Sequence, residues 1–361
     1  MNGRDFDVQV VRTPPSSPRG KIMENYVLAR IQSMHGIDIG LYDYDRHNAL
    51  YYFAVNADEQ IYFRYGGRDS ESQDTYLDLD SLALALETGL EQHEQWNAGK
   101  FEAKPRPEPL FPRDIPGVDE FIIQKGRCVE CHHLAHFTSM ELERAGQLDK
   151  LRDMYRSPDI KTLGLILDVP KGLVLAETTG EAQKAGILPG DMIRSIEGEP
   201  VITYGDFQYF FDQVDRRAPA FSVTVERTGQ EIEKQISLPK EWWAYDLSHR
   251  YWTIEPLIFF DVEPLTLEEK EALELPTAGF ASRVTEIPFD AKLEFAHELK
   301  VGDIVTAVAG VTQNDLVDDV VLHIKLAHKS GETIPLTIIR DGEIMEMPLY
   351  SVRKIFRQRE D

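Results

Sequence analysis

The feature that most constrains this 361-residue chain is that its C-terminal part repeats itself. Leu188-Pro189-Gly190-Asp191-Met192-Ile193 returns as Lys300-Val301-Gly302-Asp303-Ile304-Val305, and Gly198 returns as Gly310, both 112 residues later. Glu226-Arg227-Thr228-Gly229 returns as Ile339-Arg340-Asp341-Gly342, 113 residues later. Each copy also holds an amphipathic stretch between its last two landmarks, Phe207 to Val214 and Asp318 to Ala327. Three landmarks in one order and register predict a duplicated domain of about 90 residues rather than one continuous fold.

Upstream of the duplication the pattern changes. Residues 1–20, with Thr13-Pro14-Pro15-Ser16-Ser17-Pro18, are expected to be a loose entry, and Tyr26 to Ile31 a strand. Ala49 to Val55 and Gln60 to Tyr65 flank the polar turn Asn56-Ala57-Asp58-Glu59 and predict a hairpin. Asp78 to Glu94 carries leucines at helical spacing, with Asp80-Ser81 as candidate caps. Lys104-Pro105-Arg106-Pro107-Glu108-Pro109 reads as an extended polyproline-like linker, and Ser139 to Arg144 as helical.

Charge then narrows the function classes. The net charge of −23 disfavours a nucleic-acid binder or a polybasic membrane-surface protein, both of which need cationic surface. No apolar run approaches the length of a bilayer-spanning helix. Met1 leads into Asn-Gly-Arg-Asp-Phe-Asp, which has no apolar signal core. The chain is therefore expected in the cytoplasm if Met1 is the true start, or in the periplasm or another extracytoplasmic space if the natural N-terminus carries a signal.

In the first copy, Ala185-Gly186-Ile187-Leu188-Pro189-Gly190-Asp191, Ile193 and Ile196-Glu197-Gly198-Glu199-Pro200-Val201 resemble the bacterial PDZ pattern. That resemblance implies that Leu163, Gly164, Leu165 and Ile166 form a carboxylate-binding loop. A partner's C-terminus would add a strand beside Leu165 to Leu167, with the helix at 207–214 as the opposite wall. The second copy has Pro256-Leu257-Ile258-Phe259 at the loop position, without glycine, and a longer insert from Glu263 to Leu275. Proline cannot donate a backbone hydrogen bond, so this copy is expected to pack rather than bind. Trp242, Trp243 and Trp252 are expected to wedge the copies together. There is no Gly-x-Ser-x-Gly and no room for a trypsin-like domain before residue 160, which excludes a PDZ-bearing serine protease.

The strongest chemical motif is Cys128-Val129-Glu130-Cys131-His132, and it holds both cysteines of the chain. At i, i+3 and i+4 on a helix, Cys128, Cys131 and His132 would share one face. Two thiols and an imidazole so placed suit covalent haem c, with His132 as the proximal ligand. Met154, Met140, His249 and His93 are candidates for the sixth ligand. Zinc or copper on Cys128, Cys131, His132 and His136 is the alternative, and a redox dithiol is a third.

Asn56 to Tyr62 followed by Arg64-Tyr65-Gly66-Gly67-Arg68-Asp69 looks like the closing hairpin of thioredoxin-like proteins. With Cys128 to His132 and the duplication, the chain is similar over about residues 24–350 to the bacterial thioredoxin-like/PDZ (seleno)protein family. The fold class expected is α+β multidomain. Residues 1–104 would be a partial thioredoxin-like unit, 105–160 a linker with a short helical CxxCH segment, 161–240 a PDZ domain and 241–361 a second PDZ-like domain. No cysteine precedes Cys128, so no thioredoxin catalysis carries over, and Tyr42, Tyr44, Tyr51 and Tyr52 are expected to pack. The function expected is a redox-linked scaffold with haem c and a peptide-binding groove. A non-enzymatic adaptor with a structural metal, or a thiol-disulfide protein, stands as the alternative.

Overall fold

The structure, a computed structural model, describes residues 3–48, 50–247, 254–288 and 297–352. It is mixed α/β with several antiparallel sheets, and the chain divides into two compact units, 1–246 and 247–361.

The first unit opens with α1 (Gly3–Val11) and α2 (Pro18–Met23) where a loose entry was expected. Serine and proline here start a helix rather than prevent one. Ser17 is extended and accepts from the Gly20 N–H, while Pro18 sits in the first turn, where a missing N–H costs nothing. Phe6 and Val10, one turn apart, bury against Ala54, Phe63, Tyr65, Leu82 and Ala85. The strand expected over Tyr26–Ile31 does not form: Val27, Leu28 and Ile31 are exposed, so the apolar run has no face to cover. The expected hairpin does form, as β1 (Tyr51–Val55) and β2 (Ile61–Gly66), with Tyr52 opposite Tyr65 and Phe53 opposite Arg64. Asn56 closes its loop by accepting from the N–H groups of Asp58 and Gln60, each at 2.9 Å. Helix α3 (Leu79–Asn97) follows, capped by Asp78 rather than by Asp80 or Ser81, whose N–H groups it receives.

Residues 104–110 run extended and exposed, tied down by Lys104 to Glu199 at 2.7 Å and by Arg106 to Asp38 at 2.9 Å. The short α4 (Pro116–Val118) lies against α5 (Cys131–Ala145): Phe137 packs on Gly117 and stacks on Phe121 at 5.8 Å.

The first copy comprises β3 (Leu165–Leu167), β4 (Leu175–Thr178), α6 (Gly180–Lys184), β5 (Met192–Ile196), β6 (Glu199–Pro200), α7 (Tyr204–Phe211), β7 (Ala220–Arg227) and β8 (Gln230–Ser237). Strand β3 pairs with β4, and a second sheet has the order β6-β5-β7-β8. Phe207 and Phe211 of α7 drop into the core against Phe221. Trp242 and Trp243 are buried within this same unit, 5.0 Å from Phe211 and from Tyr155 respectively. Their ring partners lie inside the first unit, and Trp252 lies outside the described residues.

In the second unit, β9 (Asp261–Pro264), α8 (Leu267–Ala272), β10 (Ser282–Glu286), β11 (Ile304–Val308), α9 (Val320–Ala327), β12 (Thr333–Arg340) and β13 (Glu343–Tyr350) form one sheet with two helices, in strand order β13-β12-β11-β10-β9. Its core gathers Phe260, Val284, Val305, Ile324, Ile334, Leu336 and Ile338. The insert Glu263–Leu275 holds α8, whose capping box joins Thr266 and Glu269.

Candidate functional site

Two places carry the chemistry read from the sequence, and both lie in the first unit. The first is the segment around the cysteines. Helix α5 begins at Cys131, with Glu130 extended at its N-cap, so Cys128 sits before the helix on an exposed segment. The shared helical face expected for Cys128, Cys131 and His132 therefore does not exist: the helix starts three residues too late. Cys131 is half-buried, with its Sγ 3.0 Å from the Tyr44 hydroxyl. Tyr44 is itself stacked on Tyr51 at 4.7 Å and lies under the Arg46 guanidinium. Burial, and then the neighbouring Cys131, push the Tyr44 phenol well above its usual range, so it stays protonated.

Among the described residues, Glu130, His132 and His133 bring their ligating atoms within 4.8 Å of one another. The Glu130 N–H donates to His133 Nδ1 at 3.1 Å, which leaves Nε2 as the outward atom of that ring. Desolvation, and then the His132 imidazole, hold the His133 pKa below its usual value and favour the neutral, ligating form. Neither thiol joins this group, and nor does His136, which borders Phe137 at 5.2 Å. Of the expected sixth ligands, Met154 is buried, Met140 lies on α5 itself, and His93 is exposed on α3 with its Nδ1 2.8 Å from the Tyr62 hydroxyl. His249 lies outside the described residues.

The second place is the strand and helix of the first copy. Leu163 and Leu165 are fully buried, Ile166 is half-buried, and Gly164 turns the chain at φ +82°. The Gly164 N–H donates to the Lys161 carbonyl at 2.9 Å, and its C=O accepts from the Thr179 N–H at 3.0 Å. A Cβ on Gly164 would overlap the Thr179 carbonyl, so this glycine is required by close approach as well as by its left-handed backbone.

Helix α7 meets the hairpin. Thr203 caps it together with Asp206, and its hydroxyl donates to the Arg64 carbonyl. Asp206 is buried and accepts from the Arg64 N–H at 2.8 Å. Burial raises its carboxyl to about 6, against the pull of the Arg64 guanidinium and three backbone N–H groups. Tyr204 stacks on Tyr76 with ring centroids 3.4 Å apart. A cleft of about 220 Å³ lined by Tyr65, Tyr76, Leu84, Val169, Leu173 and Tyr204 lies beside this contact and takes no residue from 128–136.

Sequence reasoning missed the ion network that fastens these parts together. Arg68, almost fully buried, donates from Nε to Asp45 at 2.6 Å and from Nη2 to the Tyr245 hydroxyl at 2.7 Å and the Arg156 carbonyl at 3.0 Å. Arg156 in turn reaches Asp212 at 2.8 Å and Asp43 at 3.2 Å. An arginine after a Gly-Gly pair looks like a solvated turn in sequence, and no local signal marks it as buried.

No family model matches the chain, and no curated protein matches it. Among solved structures it is similar to the HtrA-type protease AlgW. Two forms bound to a decapeptide align over 39% and 38% of this chain at 14% and 17% identity, with TM-scores of 0.25 and 0.23. A form with a tripeptide aligns over 46% at 13% identity and a TM-score of 0.25. The chain covers 43%, 42% and 54% of those proteins' lengths. Scores this low carry no functional argument.

Proposed function

We propose that the chain is a peptide- or protein-binding scaffold whose first copy takes an extended segment between β3 and α7. The observation that supports this most directly is the pairing of β3. It is hydrogen-bonded to β4 and to no other described strand, so no described strand takes the edge to which an extended segment would add. The Leu163–Ile166 loop opens that strand, and Lys161, one turn earlier, places a cation where a terminal carboxylate would arrive. The test is fluorescence polarisation with a library of peptides carrying free C-termini, each paired with its C-terminal amide. Selective binding of free carboxylates, with amide chemical shifts moving along Leu165–Leu167, is the expected result. Equal binding of acid and amide, or shifts confined to other strands, would sink the reading.

For the cysteine segment, the proximity of Glu130, His132 and His133 supports a second reading, a borderline divalent metal such as zinc or copper held by imidazole and carboxylate. Cys131 adjoins this group in sequence but has its Sγ against the Tyr44 hydroxyl, so the exposed Cys128, two residues before Glu130, is the thiol proposed to join it. Covalent haem c on Cys128 and Cys131 with His132 on the iron is the competing proposal. A thioether at Cys131 would replace its contact with Tyr44. One experiment separates the two: an absorption spectrum of denatured protein exported from a host with cytochrome c maturation. A haem chromophore that stays attached through denaturation sinks the metal reading; a colourless protein that titrates one equivalent of zinc supports it.

A further inference from the structure

The chain that leaves β2 lies where a ligand of the first copy would lie. Arg64 is held at the N-terminus of α7, its N–H on Asp206 and its C=O on Thr203. Gly67 lies against the Tyr204 ring, so close that a Cβ there would overlap it, and its φ of +128° excludes most other residues as well. The Arg68 carbonyl then accepts from Gln208 Nε2 at 2.9 Å and from the Tyr204 hydroxyl at 3.4 Å. Tyr204 and Gln208 are one turn apart and so present one stripe of α7. Asp69 follows, its carboxylate 2.6 Å from Lys161 Nζ. Ser70 closes the run, giving N–H and hydroxyl to Asp159 Oδ2 at 3.0 and 2.7 Å.

Within seven residues the backbone therefore travels from the first turn of α7 to the turn that opens the Leu163–Ile166 loop. It arrives there with a carboxylate. A peptide bound by its C-terminus would follow the same order, residues along the helix first and the carboxylate at the loop last. Arg68 anchors the run, since its guanidinium is held by Asp45, Tyr245 and the Arg156 carbonyl.

We propose that Arg64–Ser70 is a built-in occupant of the first-copy groove, so that a partner's C-terminal carboxylate binds only by displacing Asp69 from Lys161. This rests on the peptide-binding reading above. It adds a chemistry for the partner: a free carboxylate for Lys161 and a small residue two positions before it, matching Gly67. It also adds a control, because the binding-competent state is the one in which the hairpin has let go of α7. When only a fraction of molecules is competent, apparent affinity falls by that fraction.

The test compares the full chain with its Asp69→Asn and Ser70→Ala double variant, which weakens the occupant but leaves Lys161, Tyr204 and Gln208 in place. The probe is the best free-carboxylate peptide from the library, with its amide as control. The expected result is binding tighter by about tenfold or more in the variant. Equal affinity for both proteins overturns the occupancy and leaves the peptide-binding reading standing. No carboxylate-dependent binding to either protein overturns both. Should the variant misfold, hydrogen exchange on the unaltered chain decides. Saturating peptide should expose residues 66–72 to exchange, and protection that stays intact while peptide is bound overturns the inference.

Discussion

The two copies of the repeat agree residue for residue where they turn and part company where they could bind. Asp191 accepts the Leu188 N–H at 2.9 Å and is gripped by both arms of Arg227, each at 2.7 Å. Asp303 accepts the Lys300 N–H at 2.7 Å and is gripped by Arg340 at the same two distances. Even the carbonyl that shares each arginine is equivalent, Gly186 in one copy and Glu298 in the other. The hairpin tips match as well: Thr228-Gly229 and Asp341-Gly342 both have positive φ at each position, the two-residue turn that fits strand twist. The groove walls differ. In the first copy Gly164 opens β3, and α7 carries Tyr204 and Gln208 onto the hairpin. In the second, the chain before β9 holds Pro256 and no glycine, and the Phe259 carbonyl lies 3.1 Å from His297 Nε2. The turn scaffold is thus common to both copies, while the glycine before the first strand and the helix contacts of α7 are not.

That comparison is sharpened first by emptying each core. Phe211→Ala removes a fully buried ring from between Phe221 and Trp242 and is expected to cost ~3–5 kcal/mol. Ile324→Ala in α9 is expected to cost ~2–5 kcal/mol. Hydrogen exchange should place each loss in its own unit, and loss of protection in both from either variant would break the comparison.

Acid is the next probe, because one term is common to both copies and one is not. Burial raises the Asp191 and Asp303 carboxyls, but their arginines and backbone N–H groups outweigh it and hold both below the usual range. Folded values below the unfolded value of about 3.9 mean full stabilisation above that pH and loss as pH falls through the folded values, in both copies alike. Asp206 works in the opposite sense. Its carboxyl, raised to about 6, contributes fully below the unfolded value and loses that contribution as pH rises through about 6. Protection factors at residues 202–211 should therefore fall as pH rises from about 4 to about 6, and Asp206→Asn should abolish that fall. Helix α9 should show no such fall, because burial holds the His323 imidazole below its usual value and any dependence there runs the other way.

How much of this could be read beforehand follows from the range of each interaction. The glycine turns, the Gly-Asp strand entries and the hairpin at 56–60 are set by neighbours a few residues apart, so they stand out in sequence. Helix α1 was missed because Phe6 and Val10 gain their burial against Phe63 and Leu82 far along the chain, and α2 because a serine–proline pair reads as a loop rather than a helix start. The Cys128–His132 spacing was legible, but its geometry was not, since an extended Glu130 moves the start of α5 past Cys128. Least legible of all was Arg64–Ser70, whose partners in α7, just before the Leu163–Ile166 loop and at Tyr245 are 88 to 177 residues away. The same distance makes Gly164 a poor probe of binding. Its Cβ would meet the Thr179 carbonyl, so Gly164→Val is expected to lower stability before it reports on any peptide.

Smaller in effect, but more pointed, is a difference at the matched turns Glu197-Gly198 and Ala309-Gly310. All four residues have positive φ. Gly198→Ala and Gly310→Ala should each cost ~1 kcal/mol through the left-handed backbone alone, since both Cβ positions are open. The residues before them should not behave alike. The Glu197 N–H donates to the Ser222 carbonyl and the Ala309 N–H to the Pro335 carbonyl, so the backbones correspond. Ser222 also has an N–H, which Glu197 receives on its carboxylate at 2.5 Å. Pro335 has none to offer, and an alanine suffices opposite it. Glu197→Ala is accordingly expected to cost ~1 kcal/mol or less, because an exposed N–H can turn to water. Ser222→Pro should make that change neutral, while Ala309→Glu should gain nothing unless Pro335 is first replaced by serine. Chemical denaturation of the four single and two double variants measures both cycles, and equal costs with and without proline would show that the turn carboxylate has no acceptor role.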